Sequence, residues 1–364
     1  MATIKAVTFN KYTTPNGFVL ADLPKPTIER PEDVLIKVYA ASINPVDIKR
    51  AFGILRIFDP ENRQSERQGL TDNYDRFPAR IGYDLAGVIE SVGDDADGLN
   101  VGDEVFVRLA EDERGAFQEY VVASSKTVAL KPKNLTFEEA ASLPLATLTT
   151  LQALLAVEGG LQNKTVFVTS GLSGTGSAAC QLAKNVFGAS KVITTVSTSK
   201  VSRVAALLGE GVVDEVIDYK TRNPGKVIPK GSVDVVYDTV AEALSYLHLV
   251  KPGGWIISVI CLPSGQNLKS LFPNIPAWFC SFLDIAFKIS KYRASRYKVN
   301  YDSIVLVPRK EQLLDLKQWA EEGKLKPVVG KVVPFSDFEG VKKAFTEIYE
   351  AKGVTGKTVI KVVE

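Results

Sequence analysis

The sequence predicts an α/β protein, with a strand-rich first third followed by a doubly wound parallel sheet. Two rhythms carry this reading. Up to about Thr136, short apolar runs are broken by turn residues, most clearly in Val34–Ala40, in Tyr83–Gly93, and in the turn and strand of Asn100–Val107. Beyond it, strands alternate with helical stretches: Thr165–Thr169, Lys191–Val196, Glu215–Tyr219, Val233–Asp238, Trp255–Ile260 and Ser303–Val307. These strands fill one doubly wound sheet. The helix Lys310–Glu322 carries Leu313, Leu314, Leu316 and Trp319 on its apolar side, ends at Gly323, and reads as the last crossover on that sheet. The tail has strands at Val328–Val333 and Lys357–Val363 around a helix Phe338–Ala351, and its strand content makes it a candidate to rejoin the β domain. A chain of 364 residues suggests two or three domains.

Composition narrows the function classes. With 44 Lys and Arg against 42 Asp and Glu, no field is strong enough to make nucleic acid the expected partner. At 45% hydrophobic residues the chain is too apolar for disorder. There is one histidine, His248, and three scattered cysteines, Cys180, Cys261 and Cys280. A zinc centre needs about three or four N or S ligands, so no metal is expected, nor is a disulfide framework. The opening MATIKAVTFN alternates like a strand and lacks the apolar core of a signal peptide, and with three dispersed cysteines a cytoplasmic, reducing compartment is expected.

The main chemical motif follows the strand Thr165–Thr169. Ser170-Gly-Leu-Ser-Gly-Thr-Gly176 leads into a helix with small residues on its first turn, the arrangement that offers free N–H groups and a positive dipole end to a pyrophosphate. The glycines are spelled G-x-x-G-x-G, so a purely structural turn is the competing reading. The second strand ends Thr194-Thr-Val-Ser-Thr-Ser-Lys200, with no acid before Glu210 to hold a ribose 2′-OH. Hydroxyls and a cation there suit a 2′-phosphate, so NADP (NADPH) is expected over NAD, against a solvated loop with a surface lysine.

Ala41–Lys49, Gly82–Ile89, Val101–Phe106, Gly115–Tyr120, Leu143–Thr149 and the glycine loop, in order and suitably spaced, resemble the medium-chain dehydrogenase/reductase superfamily, specifically its zinc-free quinone oxidoreductase (zeta-crystallin-like) branch. The resemblance covers nearly the whole chain. It implies a GroES-like β domain, residues 1–130 with 325–364, enclosing a Rossmann NADP-binding domain, residues 131–324. Zinc-dependent relatives carry a Cys ligand where this chain has Asn44 and Gly-His-Glu where it has Gly82-Tyr83-Asp84. By the resemblance, the Asn44 side chain would lie beside nicotinamide and substrate, and Thr149 would hold the nicotinamide amide. Ser173, Gly174 and Thr175 would meet the pyrophosphate, while Ser197, Ser199, Lys200 and Tyr219 would surround the 2′-phosphate. Asp238, Val240 and Val259 would line the cofactor from the strand ends. Ser170 and Ser173 stand where the family usually has Ala or Gly, implying weaker binding or a hydroxyl bonded to the phosphate.

Without zinc to polarise an alcohol, the hydride acceptor expected is a quinone or an α,β-unsaturated carbonyl compound, which delocalises the charge it receives. Tyr83 and Tyr74 are candidate proton donors, with packing or exposure as the competing role. Asn44 either positions substrate or is a turn residue before Pro45; Asp47 caps the following helix and His248 is structural. The segment Phe52–Arg76 is long for this branch. Ser264–Val299 combines an apolar stretch with Lys288, Lys291, Arg293, Arg296 and Lys298, and within it 271–298 reads either as a peripheral lipid-surface contact or as a homodimer contact or cleft wall. The competing function classes are an enoyl-thioester reductase, and a dehydrogenase-like protein that binds a partner or lipid surface with little catalysis.

Overall fold

A computed structural model of the chain describes residues 2–54, 77–96, 98–261, 264–271, 275–350 and 355–363. The chain divides into two compact units. One comprises Met1–Leu145, Pro308–Glu321 and Val329–Glu364; the other comprises Ala146–Val307 and Glu322–Val328.

The first unit begins with strands β1 (Thr3–Phe9), β2 (Val19–Pro24), β3 (Asp33–Ser42), β4 (Ala79–Arg80), β5 (Asp84–Val92), β6 (Glu104–Arg108), β7 (Tyr120–Ser124) and β8 (Val128–Leu130). In the second unit, β9 (Thr165–Val168), β10 (Lys191–Val196), β11 (Glu215–Asp218), β12 (Val233–Asp238), β13 (Val250–Ser258) and β14 (Asn300–Ser303) follow. The chain then returns to the first unit with β15 (Val329–Pro334) and β16 (Lys357–Lys361).

In the first unit the strands form a small sheet ordered β2-β1-β4 and a larger one ordered β15-β16-β3-β5-β6-β8, with β7 also on β3. The tail joins this sheet through β16, which runs antiparallel to β3 with Val359 opposite Ser42. Alternation buries one face of these strands around Phe9, Ile36, Val107 and Phe117. The helix Phe338–Tyr349 closes that core, placing Phe345 edge-on to Phe117 at 5.0 Å and to Phe18 at 5.1 Å.

In the second unit the parallel order is β11-β10-β9-β12-β13-β14, with the crossovers reversing direction at β9. Its central strands are mostly apolar and buried apart from Thr165 and Asp234, as expected of a sheet covered on both faces. Ligands of such sheets bind at the carboxyl ends beside the reversal, here the ends of β9 and β12.

Two expectations are corrected. The last strand occupies Asn300–Ser303, not Ser303–Val307. Val307 instead exchanges two hydrogen bonds with the Gln152 side chain, at 2.6 and 3.1 Å, which take that apolar run out of the ladder. The helix Lys310–Glu321 is not a crossover on the parallel sheet. It belongs to the first unit, where the Glu321 carboxylate accepts from the Lys133 N–H at 3.0 Å and the Ala320 carbonyl from the Asn134 amide at 2.9 Å. Its Leu313 and Leu316 are buried as an amphipathic pattern requires, but that pattern does not say which sheet receives them.

Candidate functional site

In the second unit, the glycine loop turns sharply after β9. Ser170 takes a left-handed backbone, φ +53°, held by donation from its N–H to the Thr195 hydroxyl at 2.9 Å. A Cβ on Gly171 would fall 2.1 Å from the Thr194 hydroxyl, and one on Gly176 would fall 2.2 Å from the Ser170 carbonyl. Only glycine fits at Gly176, because its neighbour there is backbone. The loop runs directly into the helix Gly174–Gln181, whose N-cap is Ser173. The Ser173 hydroxyl accepts from the Gly176 N–H at 3.0 Å. An oxygen expected either to weaken phosphate binding or to bond the phosphate therefore caps the helix. The N–H groups of Gly174 and Thr175, at the first helical positions, have no acceptor within the helix and stand at its positive end.

A cleft of about 590 Å³ opens beside this loop. Ser170, Thr195, Tyr219 and Val240 line it, and so do Lys220 and Arg222. The sequence reading placed Tyr219 and Val240 at the cofactor but passed over the two cations, although they follow Tyr219 directly. The Lys220 ammonium lies 5.3 Å from the Tyr219 ring centroid. Asp218, at the end of β11, ties the surrounding loops together by accepting from the Lys220 N–H at 3.0 Å and from the Thr198 hydroxyl. The Thr198 hydroxyl holds that carboxyl below its ordinary pKa.

Ser197, Ser199 and Lys200 sit on the turn after β10, outside the residues lining the cleft. Burial and the neighbouring Arg203 both lower the Lys200 pKa. Val259 donates from its N–H to the Asp238 carbonyl at 3.1 Å. The fully buried Asp238 carboxylate accepts from the Ser258 hydroxyl at 2.8 Å and from the Val240 and Glu242 N–H groups at 3.2 Å, which fixes the ends of β12 and β13. Thr149 is half-buried on the helix Pro144–Leu155. Its neighbour Thr150 is fully buried, 2.9 Å from the Tyr237 hydroxyl and 3.1 Å from the Thr175 carbonyl.

The remaining predicted residues lie in the first unit, in a buried polar cluster. Asn44 is 1% exposed and both ends of its amide are used. Its Nδ2 donates to Asp84 at 2.9 Å, and its Oδ1 accepts from the Lys357 ammonium. Asp84, fully buried, also accepts from the Leu145 N–H at 2.9 Å and lies 3.6 Å from the Lys357 Nζ. Burial pushes the Asp84 carboxyl up and the Lys357 ammonium down, each against the pull of the other. Asp47 supports the helix Pro45–Ala51 as expected, accepting from the Asn44 N–H at 2.7 Å through Oδ2, while its buried Oδ1 has no hydrogen-bond partner. Burial raises its carboxyl to about 8.

Tyr83 is fully buried as well. Its hydroxyl donates to Glu111 at 2.8 Å and accepts from Arg50 at 3.1 Å, and burial pushes the phenol pKa well up. The Tyr83 hydroxyl is thus directed at Glu111 and enclosed by the protein. It links Arg50, on the helix Pro45–Ala51, to Glu111, beyond β6. Asn44 likewise has both ends of its amide bonded, to Asp84 and Lys357. Tyr74, the other candidate donor, and most of Phe52–Arg76 lie outside the described residues. Lys357 was missed because it is 313 positions from Asn44 in the chain. His248 is structural, its Nε2 2.8 Å from the Gly225 carbonyl.

Comparison with known proteins adds the family. Residues 30–133 match the alcohol dehydrogenase GroES-like domain and residues 211–360 match a family described as zinc-binding dehydrogenase. A 2-methylene-furan-3-one reductase of Solanum lycopersicum is 36% identical over 335 residues, 90% of this chain and 71% of that protein. The chain belongs to the medium-chain dehydrogenase/reductase superfamily. A second relative in the superfamily, the chloroplastic NADPH-dependent alkenal/one oxidoreductase of Arabidopsis thaliana, is 32% identical over 90% of this chain and 72% of its own. The structure of the quinone oxidoreductase from Coxiella burnetii superposes with a TM-score of 0.77 at 28% identity, covering 100% of both chains. The superfamily's GroES-like domain and Rossmann-type parallel sheet are thus the architecture seen here. Among the described residues no group of three or more His, Cys, Asp or Glu could hold a metal ion, and no helix is long and apolar enough to cross a membrane.

Proposed function

We propose that the chain is an NADPH-dependent, zinc-independent oxidoreductase that transfers hydride to quinones or α,β-unsaturated carbonyl compounds. The observation that carries this reading is the cleft beside the glycine loop, at the carboxyl ends of a doubly wound sheet, whose lining includes Lys220 and Arg222. The names of the two plant reductases and the Coxiella quinone oxidoreductase support the reaction class.

The residues fit a dinucleotide. Gly171 and Gly176 let the loop fold tightly against Thr194 and the Ser170 carbonyl, where a Cβ would collide, and the N–H groups of Gly174 and Thr175 suit a pyrophosphate. Tyr219 offers a half-exposed ring for a flat base, and Lys220 and Arg222 offer charge-assisted bonds to a 2′-phosphate. In this proposal they take over the phosphate-binding role first assigned to Ser197, Ser199 and Lys200, which remain near it on the adjoining turn. Thr149, Val240 and Val259 complete the cofactor assignment.

When bound, the nicotinamide supplies the hydride. The chain's own residues do the rest: they hold the phosphates, fix the strand ends through Asp238, and keep the Asn44–Asp84–Lys357 cluster rigid. The donor set of that cluster argues for zinc independence. Its carboxylate and amide oxygens already face an internal cation, the Lys357 ammonium, and Asn44 stands where zinc-dependent relatives have a thiolate. A cytoplasmic setting belongs to the same proposal, supported by three free cysteines.

A panel of quinones, enones and enals, followed by loss of NADPH absorbance, tests the reading. Turnover is expected on electron-poor C=C bonds or quinones and is expected to survive EDTA. Loss of activity in EDTA, restored by zinc, would overturn the metal-free part.

A further inference from the structure

The helix Ala277–Ser295 buries Cys280, Leu283, Phe287 and Ala294 against the second unit. Its opposite face is unusual. Trp278, Phe282, Ile285, Ile289 and Tyr292 recur at alternating intervals of four and three residues, so they form one continuous stripe along the helix. All five are exposed, Trp278 by 72% and Tyr292 by 66%. A contiguous apolar stripe of this length is costly in water unless something covers it.

Charge identifies what covers it. Lys288, Lys291, Arg293, Arg296 and Lys298 lie on or just after the helix, against a single acid, Asp284, whose carboxylate already accepts from the Gly265 N–H at 2.8 Å. The net charge of the whole chain is only +2, so this element concentrates positive charge that the rest of the protein balances. On a helical projection Lys288 and Arg293 flank the stripe on its two sides, and Arg296 continues it one turn beyond Tyr292. In that arrangement the apolar side chains enter an acyl boundary while the cations reach outward to phosphates. A second copy of the chain would bring the same apolar stripe, but against these cations only another Asp284, held by its own Gly265.

We propose that this face docks on an anionic phospholipid surface, with Trp278, Phe282, Ile285, Ile289 and Tyr292 in the headgroup and acyl boundary and Lys288, Arg293 and Arg296, the cations beside the stripe, on the lipid phosphates; Lys291 instead lies over the Phe287 ring, 5.0 Å from its centroid. The helix lies along the surface and does not span it; no described helix is long and apolar enough to cross a membrane. Each cation near an anionic surface strengthens binding about fivefold.

The test is co-sedimentation of the full chain with vesicles of phosphatidylcholine alone and of phosphatidylcholine with phosphatidylserine. Wild type is expected to pellet with the anionic vesicles and to remain in solution with the neutral ones. Arg293→Glu with Arg296→Glu is expected to weaken anionic binding by about 25-fold or more, since charge is reversed as well as lost. Trp278→Ser with Phe282→Ser is expected to abolish it. Both pairs change exposed side chains, and unchanged NADPH titration by fluorescence verifies that each variant is folded. No pelleting of wild type with anionic vesicles overturns the proposal, as does binding that neither variant weakens. A wild-type dimer in sedimentation velocity that Trp278→Ser with Phe282→Ser dissociates, with no vesicle binding, would assign the face to a second copy instead.

Discussion

Asp47 should make the stability of the first unit fall as pH rises through neutrality. Its carboxyl is fully buried, and burial, followed by the charge of Asp84, raises it to about 8, against the Asn44 N–H, Lys357 and Arg108, which favour the ionised form. The unfolded value is about 3.9. Between those two values the folded chain binds the extra proton, so stability decreases with pH, by about 1.4 kcal/mol per unit. The contribution is intact below about pH 4 and is lost as pH climbs toward the folded value. From about pH 6 to about pH 7.5 the loss is about 2 kcal/mol, or about 4–8 °C in midpoint for a unit of this size. A proton taken up by this carboxyl would sit on Oδ1, the oxygen without a partner, since Oδ2 accepts from Asn44. Asp47→Asn keeps an oxygen for that N–H and cannot ionise. Thermal unfolding of wild type and variant at both pH values is the assay, and Trp319 supplies a fluorophore within the first unit. The variant should lack the slope and overtake wild type at the higher pH. Parallel slopes in the two proteins would refute the reasoning.

Three further outcomes follow from the geometry. Lys357→Met leaves the buried Asp84 carboxylate without its cation and should cost about 3–5 kcal/mol, read as a shift of the denaturant midpoint of the first unit. Gly176→Ala sets a Cβ against the Ser170 carbonyl; relieving that overlap shifts the loop at a cost of about 1–3 kcal/mol, so NADPH affinity in a fluorescence titration should fall about tenfold or more. Lys220→Ala with Arg222→Ala removes two charge-assisted bonds and should weaken NADPH by about a hundredfold while leaving NADH nearly unchanged. Equal loss for both nucleotides would move the 2′-phosphate out of this cleft.

Much of the architecture was legible because it is written in local patterns. The run Thr165–Thr169 before a glycine loop, and apolar strands alternating with helical segments, define the parallel sheet with errors of a few residues. The helix Lys310–Glu321 was found and misplaced for one reason: its buried stripe is a property of its own sequence, whereas the surface it meets is set by tertiary packing. The boundary of β14 slid because Ile304–Val307 has the composition of a strand while its end bonds to Gln152.

The site divides the same way. Tyr219 and Val240, which line the cleft, were suggested by the family resemblance, while the resemblance did not single out Lys220 and Arg222, the cations next to Tyr219 in the chain. The Asn44 cluster could not be read locally. Its amide meets Asp84 and Lys357 across long stretches of sequence, and nothing local to Tyr83 announces that Arg50 and Glu111 enclose its hydroxyl. Motif spacing identifies which residue types gather, but burial decides whether they meet a ligand or each other.

The central claim is hydride transfer from NADPH to an electron-poor acceptor. Incubating the protein with an enone and NADPH deuterated at the nicotinamide C4, then weighing the product by mass spectrometry, tests it most directly. The account predicts a saturated ketone carrying one deuterium at the β-carbon from one of the two C4-labelled isomers and none from the other. Recovery of unreduced enone with both isomers, or a reduced product without deuterium from either, would contradict it.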